Sequence, residues 1–160
     1  MIGKRYYIGM DVHKDSVQMA VYEEASTEPI YERRLNNDPE LLVKEVSRYS
    51  REGETEVAYE AGCLGYVIQR AMEKAGIRCH VLPADKVARK REDRIKTDKR
   101  DARLIARELR SGNIRPVAVP QAEDEATRDL MRCREDANED IRRVKQRLLK
   151  FLLSVTYNRK

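Results

Sequence analysis

Apolar and polar positions alternate at period two along the N-terminal stretch of the chain, and that alternation predicts strands. Tyr6, Ile8, Met10 and Val12 alternate with Arg5, Tyr7, Gly9 and Asp11; Val17, Met19 and Val21 alternate with Gln18, Ala20 and Tyr22. A turn-like segment from Glu23 to Pro29 leads to a third strand over Ile30 to Leu35. These three should form an antiparallel meander. The period then lengthens. Asp38 has the form of an N-cap with Pro39 at the first helical position, and Leu42, Val46 and Tyr49 supply an apolar stripe. Glu56 to Tyr59 reads as a short strand. Leu64, Val67, Ile68, Ala71, Met72 and Ala75 recur at helical spacing before Gly76, a natural stop. Ile77, Cys79 and Val81 alternate in one more strand, ended by Pro83, and Thr97 caps a helix that runs to Ser111-Gly112. The order β-β-β-α-β-α-β-α predicts an α/β fold, a mixed sheet with helices on its faces.

Residues Asn113 to Pro120 carry two prolines and no periodicity, which marks a connector. From about Gln121 to Val155 runs a single helical pattern with no internal Gly or Pro. Ala126, Leu130, Cys133, Ala137, Ile141, Val144, Leu148, Phe151 and Val155 recur at spacings of three and four, a heptad-like seam with one stutter. The first half of this helix is acidic and the second basic, a split that suits antiparallel self-association or a parallel pair with DNA near the basic end; the plainer alternative is an arm that packs on its own domain. The expected organisation is therefore a domain over 1–118 and a helical, coiled-coil-like oligomerisation arm over 119–160.

Composition narrows the function. Charged residues make up 38% of the chain and the net charge is +5, so nucleic acid is a natural partner. The 28 acidic residues that accompany the 33 basic ones also allow an ordinary charged surface. There is no Trp and one Phe, which disfavours a large aromatic ligand box. Cys63, Cys79 and Cys133 are far apart and form no C-x-x-C pair, so thiols in a reducing compartment are expected and a zinc site is not. No signal peptide or membrane-spanning run is visible, and the expected location is the cytoplasm.

Four carboxylates carry the chemistry. Asp11 closes the first strand and Glu60 the fourth, while Asp98 and Asp101 open a helix in T-D-K-R-D-A-R. At 3.6 residues per turn Asp98, Asp101, Ala102, Ile105, Ala106 and Leu109 share one face, and Lys99, Arg100, Arg103, Arg107 and Arg110 lie on the rest. Helix-dipole complementarity accounts for one N-terminal Asp. It does not account for two on the apolar side. If the first and fourth strands are parallel neighbours, Asp11 and Glu60 lie together at carboxyl ends, where ligands of open α/β sheets collect. Crowded carboxylates repel unless cations neutralise them, and an all-oxygen set suits Mg²⁺ or Mn²⁺ and phosphodiester chemistry. His13 and Lys14 adjoin Asp11, where they could contact a phosphate. A basic run, Lys86, Arg89, Lys90, Arg91, Arg94, Lys96, Lys99, Arg100 and Arg103, leads into the acidic helix and is expected to bind nucleic-acid phosphates.

The set D-V-H-K, Y-E-A-G and K-T-D-K-R-D-A-R resembles the DEDD transposases of bacterial insertion sequences, the IS-one-ten family and its Piv/MooV invertase relatives. The similarity runs from about Arg5 to Pro120, and T-D-x-x-D-A is its most specific element. The resemblance implies a RuvC-like, RNase H-type fold with Asp11, Glu60, Asp98 and Asp101 as metal-binding catalytic acids. It also implies metal-dependent cleavage and transfer of DNA strands, and in some members a structured, guide-like RNA partner. Family members continue into a C-terminal domain that supplies a serine to a composite site. This chain stops at Lys160 and none of its serines sits in that motif, so it resembles the N-terminal part of such a transposase. Two other readings stay open at this level. One is a non-catalytic nucleic-acid-binding and dimerising module. The other is an actin-like kinase, because I-G-M-D-V-H-K also resembles a first phosphate loop, although the seven glycines do not cluster into a second.

Overall fold

The computed structural model describes residues 3–62, 64–83 and 98–157. Strands β1 (Lys4–Val12), β2 (Ser16–Glu23) and β3 (Tyr31–Asn36) precede helix α1 (Pro39–Ser50). Then follow β4 (Gly53–Glu60), α2 (Val67–Lys74), β5 (Arg78–Leu82), α3 (Asp98–Ser111) and α4 (Ala122–Tyr157). The five strands form one sheet in the order β3-β2-β1-β4-β5. β1 pairs antiparallel with β2, and β2 with β3, whereas β1–β4 and β4–β5 are parallel. The meander and the crossovers thus fall where the alternation places them.

Both faces of the sheet are covered, which explains why β2 is buried continuously from Val17 to Tyr22. On one face Ile8, Met10, Val17, Met19, Val57 and Val81 pack with Leu42 and Val46 of α1 and Ile68 and Met72 of α2. Asp38 starts α1 by accepting hydrogen bonds at Oδ1 from the backbone N–H of Glu40 (2.9 Å) and Leu41 (3.4 Å). On the other face α3 lies across β1, β2 and β4. Its stripe of Ala102, Ile105, Ala106 and Leu109 meets Ala20, Tyr22, Ala58 and Leu82.

That second layer sits unusually close. A Cβ at Gly9 would lie 2.1 Å from the Ala102 carbonyl oxygen and 2.4 Å from the Ala106 nitrogen. Only a residue without a side chain lets α3 rest on the β1 backbone.

Element ends differ from the periodicity in instructive ways. β4 starts at Gly53, three residues before its apolar run, because Gly53, Glu54 and Thr55 pair in parallel with Lys4, Arg5 and Tyr6. α2 begins at Val67 rather than Leu64, since Gly65 adopts φ 60° in the preceding turn. Gly112, at φ 72°, follows the last residue of α3 as expected for a C-terminal stop. Thr97, the expected cap of α3, lies outside the described residues, as does Cys63.

The chain divides into two units, Met1–Val119 and Pro120–Lys160. Within the second, α4 is 36 residues long, about 54 Å at the usual rise, and none of its residues is buried. Its polar side carries local ion pairs such as Arg143–Glu139 at 2.7 Å. Among the described residues no helix is long and apolar enough to cross a membrane.

Candidate active site

Side chains alternate along β1, so Asp11 shares with Gly9 the face on which α3 lies. Asp11 is opposite Gln18 of β2, and Gln18 is opposite Arg34 of β3. On the other flank Met10 pairs with Tyr59, so Glu60 is the next residue along from the partner of Met10, at the end of β4. The close seating of α3 brings its first turn over this row. Among the described residues Asp11, His13 and Asp98 offer ligand atoms that all lie within 4.8 Å of one another. His13 Nε2 stands between the two acids, 3.0 Å from Asp11 Oδ2 and 3.5 Å from Asp98 Oδ1.

Burial pushes the Asp11 carboxyl above its ordinary value; the neighbouring His13 opposes that shift, and the carboxylates of Asp101 and Asp98 reinforce it. Asp101, one turn beyond Asp98, is therefore within electrostatic reach of Asp11. Glu60 is half-buried and lies on the rim of a cavity of about 380 Å³, which His13, Lys14, Tyr59 and Ile68 also line. It stands outside the tight group formed by Asp11, His13 and Asp98. Helix seating thus brings Asp98 and Asp101 to Asp11, with Asp11 and Asp98 in closest association, and Glu60 ends the neighbouring strand.

The donor set fits a hard divalent cation. Carboxylate oxygens dominate it, burial with added repulsion from Asp101 and Asp98 raises the proton affinity of Asp11, and the His13 ring nitrogen stands beside two of the acids. His13 enters the group because it lies two residues after Asp11, on the same side of the strand end. Its position is fixed by a 2.8 Å bond from its own N–H to the Ser16 carbonyl and by Asn37 Nδ2, which donates to the His13 carbonyl at 2.7 Å.

Of the basic run, Lys86, Arg89, Lys90, Arg91, Arg94 and Lys96 lie outside the described residues. Lys99 and Arg100 are exposed in the first turn of α3. Arg103 reaches back to the sheet, where its Nε and Nη2 donate to Glu32 Oε1 and Oε2 at 2.7 and 2.6 Å. That two-point bond holds the Glu32 carboxyl below its ordinary value. Arg34 and Ser16, which periodicity does not single out, stand beside the acids: Arg34 Nη1 is 4.0 Å from Asp98 Oδ2. Only strand register brings them there.

A mixed sheet in the order β3-β2-β1-β4-β5, with acids at the ends of its two central strands and at the start of the covering helix, is the layout of an RNase H-like domain. More narrowly, the chain belongs to the DEDD transposase family: the profile of DEDD_Tnp_IS110, described as "Transposase", matches residues 8–157. It is 39% identical over 152 residues to the transposase for insertion sequence element IS1533 of Leptospira borgpetersenii, covering 94% of this chain and 44% of that protein. It is 42% identical over 95 residues to the putative transposase y4qE of Sinorhizobium fredii, covering 59% of this chain and 24% of that protein. The chain thus spans less than half the length of these relatives. Among solved structures it superposes on T. thermophilus RuvC, determined in complex with a Holliday junction substrate, with a TM-score of 0.48 at 15% identity, covering 71% of this chain and 99% of that one. Family membership sets the chain with transposases rather than with actin-like kinases.

Proposed function

We propose that this chain carries the acidic half of a transposase active site and takes part in divalent-metal-dependent cleavage and transfer of DNA strands. Residues 1–118 are the catalytic domain in this reading, and 119–160 an arm that joins copies of the chain. The observation that carries it is the meeting of Asp11 and Asp98, from a strand end and a helix start, with Asp11 raised in proton affinity by burial and by its acidic neighbours. Asp11, Glu60, Asp98 and Asp101 would hold Mg²⁺ or Mn²⁺. When bound, such a cation neutralises the acids and polarises a phosphodiester. The chain's own part is positional. β1 and β4, paired along their length, fix Asp11 and Glu60 relative to each other. The backbone seat at Gly9 fixes Asp98 and Asp101 above them. His13 keeps a polar hydrogen-bonding edge beside the acids. Lys99 and Arg100, with Lys86, Arg89, Lys90, Arg91, Arg94 and Lys96, would hold the flanking phosphates.

The partners in this reading are DNA, further copies of this chain through α4, and in the manner of some family members a structured RNA, all in the bacterial cytoplasm. A serine from outside these residues would complete the composite site.

Calorimetric titration with Mn²⁺ tests the acids directly. The Asp11→Ala, Asp98→Ala double variant should lose binding by at least tenfold while remaining folded; binding as tight as the parent's would remove the assignment. Incubation with plasmid DNA and Mg²⁺, in the presence of a serine-bearing C-terminal domain, separates the catalytic reading from a purely binding one. Metal and DNA binding without any strand cleavage would favour the latter.

A further inference from the structure

We infer that Arg34 grips the reacting phosphate at the acidic site, its guanidinium held ready for that contact by Ser16 rather than consumed by Asp98. This rests on the reading of the acids as a metal-dependent phosphodiester site and adds a residue to it. Three observations meet here. First, register puts Asp11, Gln18 and Arg34 opposite one another across three strands, so all three project from the same face of the sheet. Asp11 occupies the central strand and Arg34 the edge, and a substrate lying along that row meets acid first and guanidinium last.

Second, Ser16 holds the fork. Its Oγ accepts from Arg34 Nε at 3.1 Å and from Nη2 at 2.9 Å. These bonds fix the plane of the guanidinium and leave Nη1 turned toward the acids. Arg carries five N–H donors in a rigid geometry that matches phosphate oxygens, so a fork held on one side is preorganised on the other.

Third, the distance to Asp98 argues against a plain charge pair. Arg34 Nη1 stops at 4.0 Å from Asp98 Oδ2, beyond hydrogen-bond reach. Arg103 of α3, by contrast, closes on the two Glu32 oxygens at 2.7 and 2.6 Å, which is how an arginine whose role is to pair behaves. Arg34 remains 65% exposed in its side chain, open to a ligand arriving from solvent. A phosphate whose oxygens are shared between cation and guanidinium fits that gap in charge. Neither group alone would balance both the acids and the phosphate.

The test is DNA binding by the full chain, read by fluorescence anisotropy of a labelled duplex over a range of salt concentrations. It is run once with Ca²⁺, to load the acids without supporting cleavage, and once with EDTA. Arg34→Ala is compared with Arg33→Ala, the same loss of charge at the next residue, on the opposite face of β3. With Ca²⁺, Arg34→Ala should weaken binding several-fold and reduce the magnitude of the log–log salt slope by about one, the signature of a lost phosphate contact. Arg33→Ala should leave the slope at the parent value. In EDTA the Arg34→Ala difference should vanish, because uncompensated carboxylates keep phosphate away from that corner. Arg34→Lys, which keeps the charge and the fold, should recover the slope but not the full affinity. Equal behaviour of the Arg34 and Arg33 variants with Ca²⁺, or an Arg34 effect that persists unchanged in EDTA, overturns the inference while leaving the acidic site intact. A parent protein whose DNA binding does not respond to Ca²⁺ removes the reading of the acids, and this inference with it.

Discussion

Helices α3 and α4 have the same design and opposite fates. Each carries a stripe of aliphatic side chains on a strongly charged cylinder. In α3 that stripe is covered: Ile105 is 1% and Leu109 4% exposed. In α4 it is open, with Leu130 at 71% and Ile141 at 53%. The difference lies in what is available to receive each stripe. α3 meets a patch of Gly9, Ala20 and Ala58, side chains small enough for the helix to settle onto the strands themselves. For α4 the stripe stays exposed, and in the proposed reading a second copy of the same seam would receive it. Periodicity therefore tells that a helix has a face; the surface opposite decides whether that face makes a core or an interface.

The sharpest way to break the comparison is to deny α3 its seat. Gly9→Ala puts a methyl where the Ala102 carbonyl lies, and unfolding in urea should show a loss of about 3 kcal/mol, the upper range for overpacking. Gly62→Ala, whose added methyl meets nothing within 4 Å, should change stability little. If Gly9→Ala is as mild, α3 is held by its stripe alone. The α4 side of the comparison is probed with Ile141→Glu and Leu148→Glu. Each seam residue is worth roughly 1.5–3 kcal/mol when buried against a partner, so the double variant should be monomeric by light scattering at concentrations where the parent associates. Ending the chain after Pro120 should likewise leave a folded monomer. An intact chain that is already monomeric at high concentration would mean that the seam has another use.

A smaller effect sharpens the picture of how α3 is oriented on the sheet. Glu32→Gln removes the two-point bond to Arg103 and should cost about 1 kcal/mol at neutral pH, typical of the better ion pairs near solvent. The pH dependence follows from the lowered carboxyl of Glu32. Its contribution is fully present above the carboxyl's unfolded value and is lost as pH falls through the lower folded one. Stability curves of parent and Glu32→Gln should thus differ above about pH 4.5 and converge in stronger acid. Parallel curves across that range would show that the pair contributes nothing.

What the amino-acid pattern could convey is clear from these same elements. The strands, the crossovers and the buried side of α3 all follow from local period, because a residue's partners within one helix or strand are a fixed number of positions away. Asp98 and Asp101 stood out for that reason, as acids on the apolar side of a helix, and Asp11 stood out as an acid closing an apolar strand. Arg34 and Ser16 gave no such signal, since what brings them to Asp98 is the register of three strands, which no local period encodes. Arg103 was legible as a helix position but not as a contact. A helical projection puts it on the polar side, and only the length of its side chain returns it to Glu32. Gly9 is, in the pattern, only one of the positions that alternate with the apolar ones, and its meaning depends on a helix that follows much later in the chain.

The site is thus assembled from two layers that are not equally anchored. Asp11 and Glu60 belong to strands bonded on both sides, whereas Asp98 and Asp101 ride on a helix that grips the sheet mainly through alanines and two larger side chains. A cation taking oxygens from both would act as a rivet. In hydrogen-exchange terms, the amides of α3 should open more readily than those of β1 when the site is empty, and slow toward them once Mg²⁺ binds. Loading the site and closing the layer above it would then be a single event.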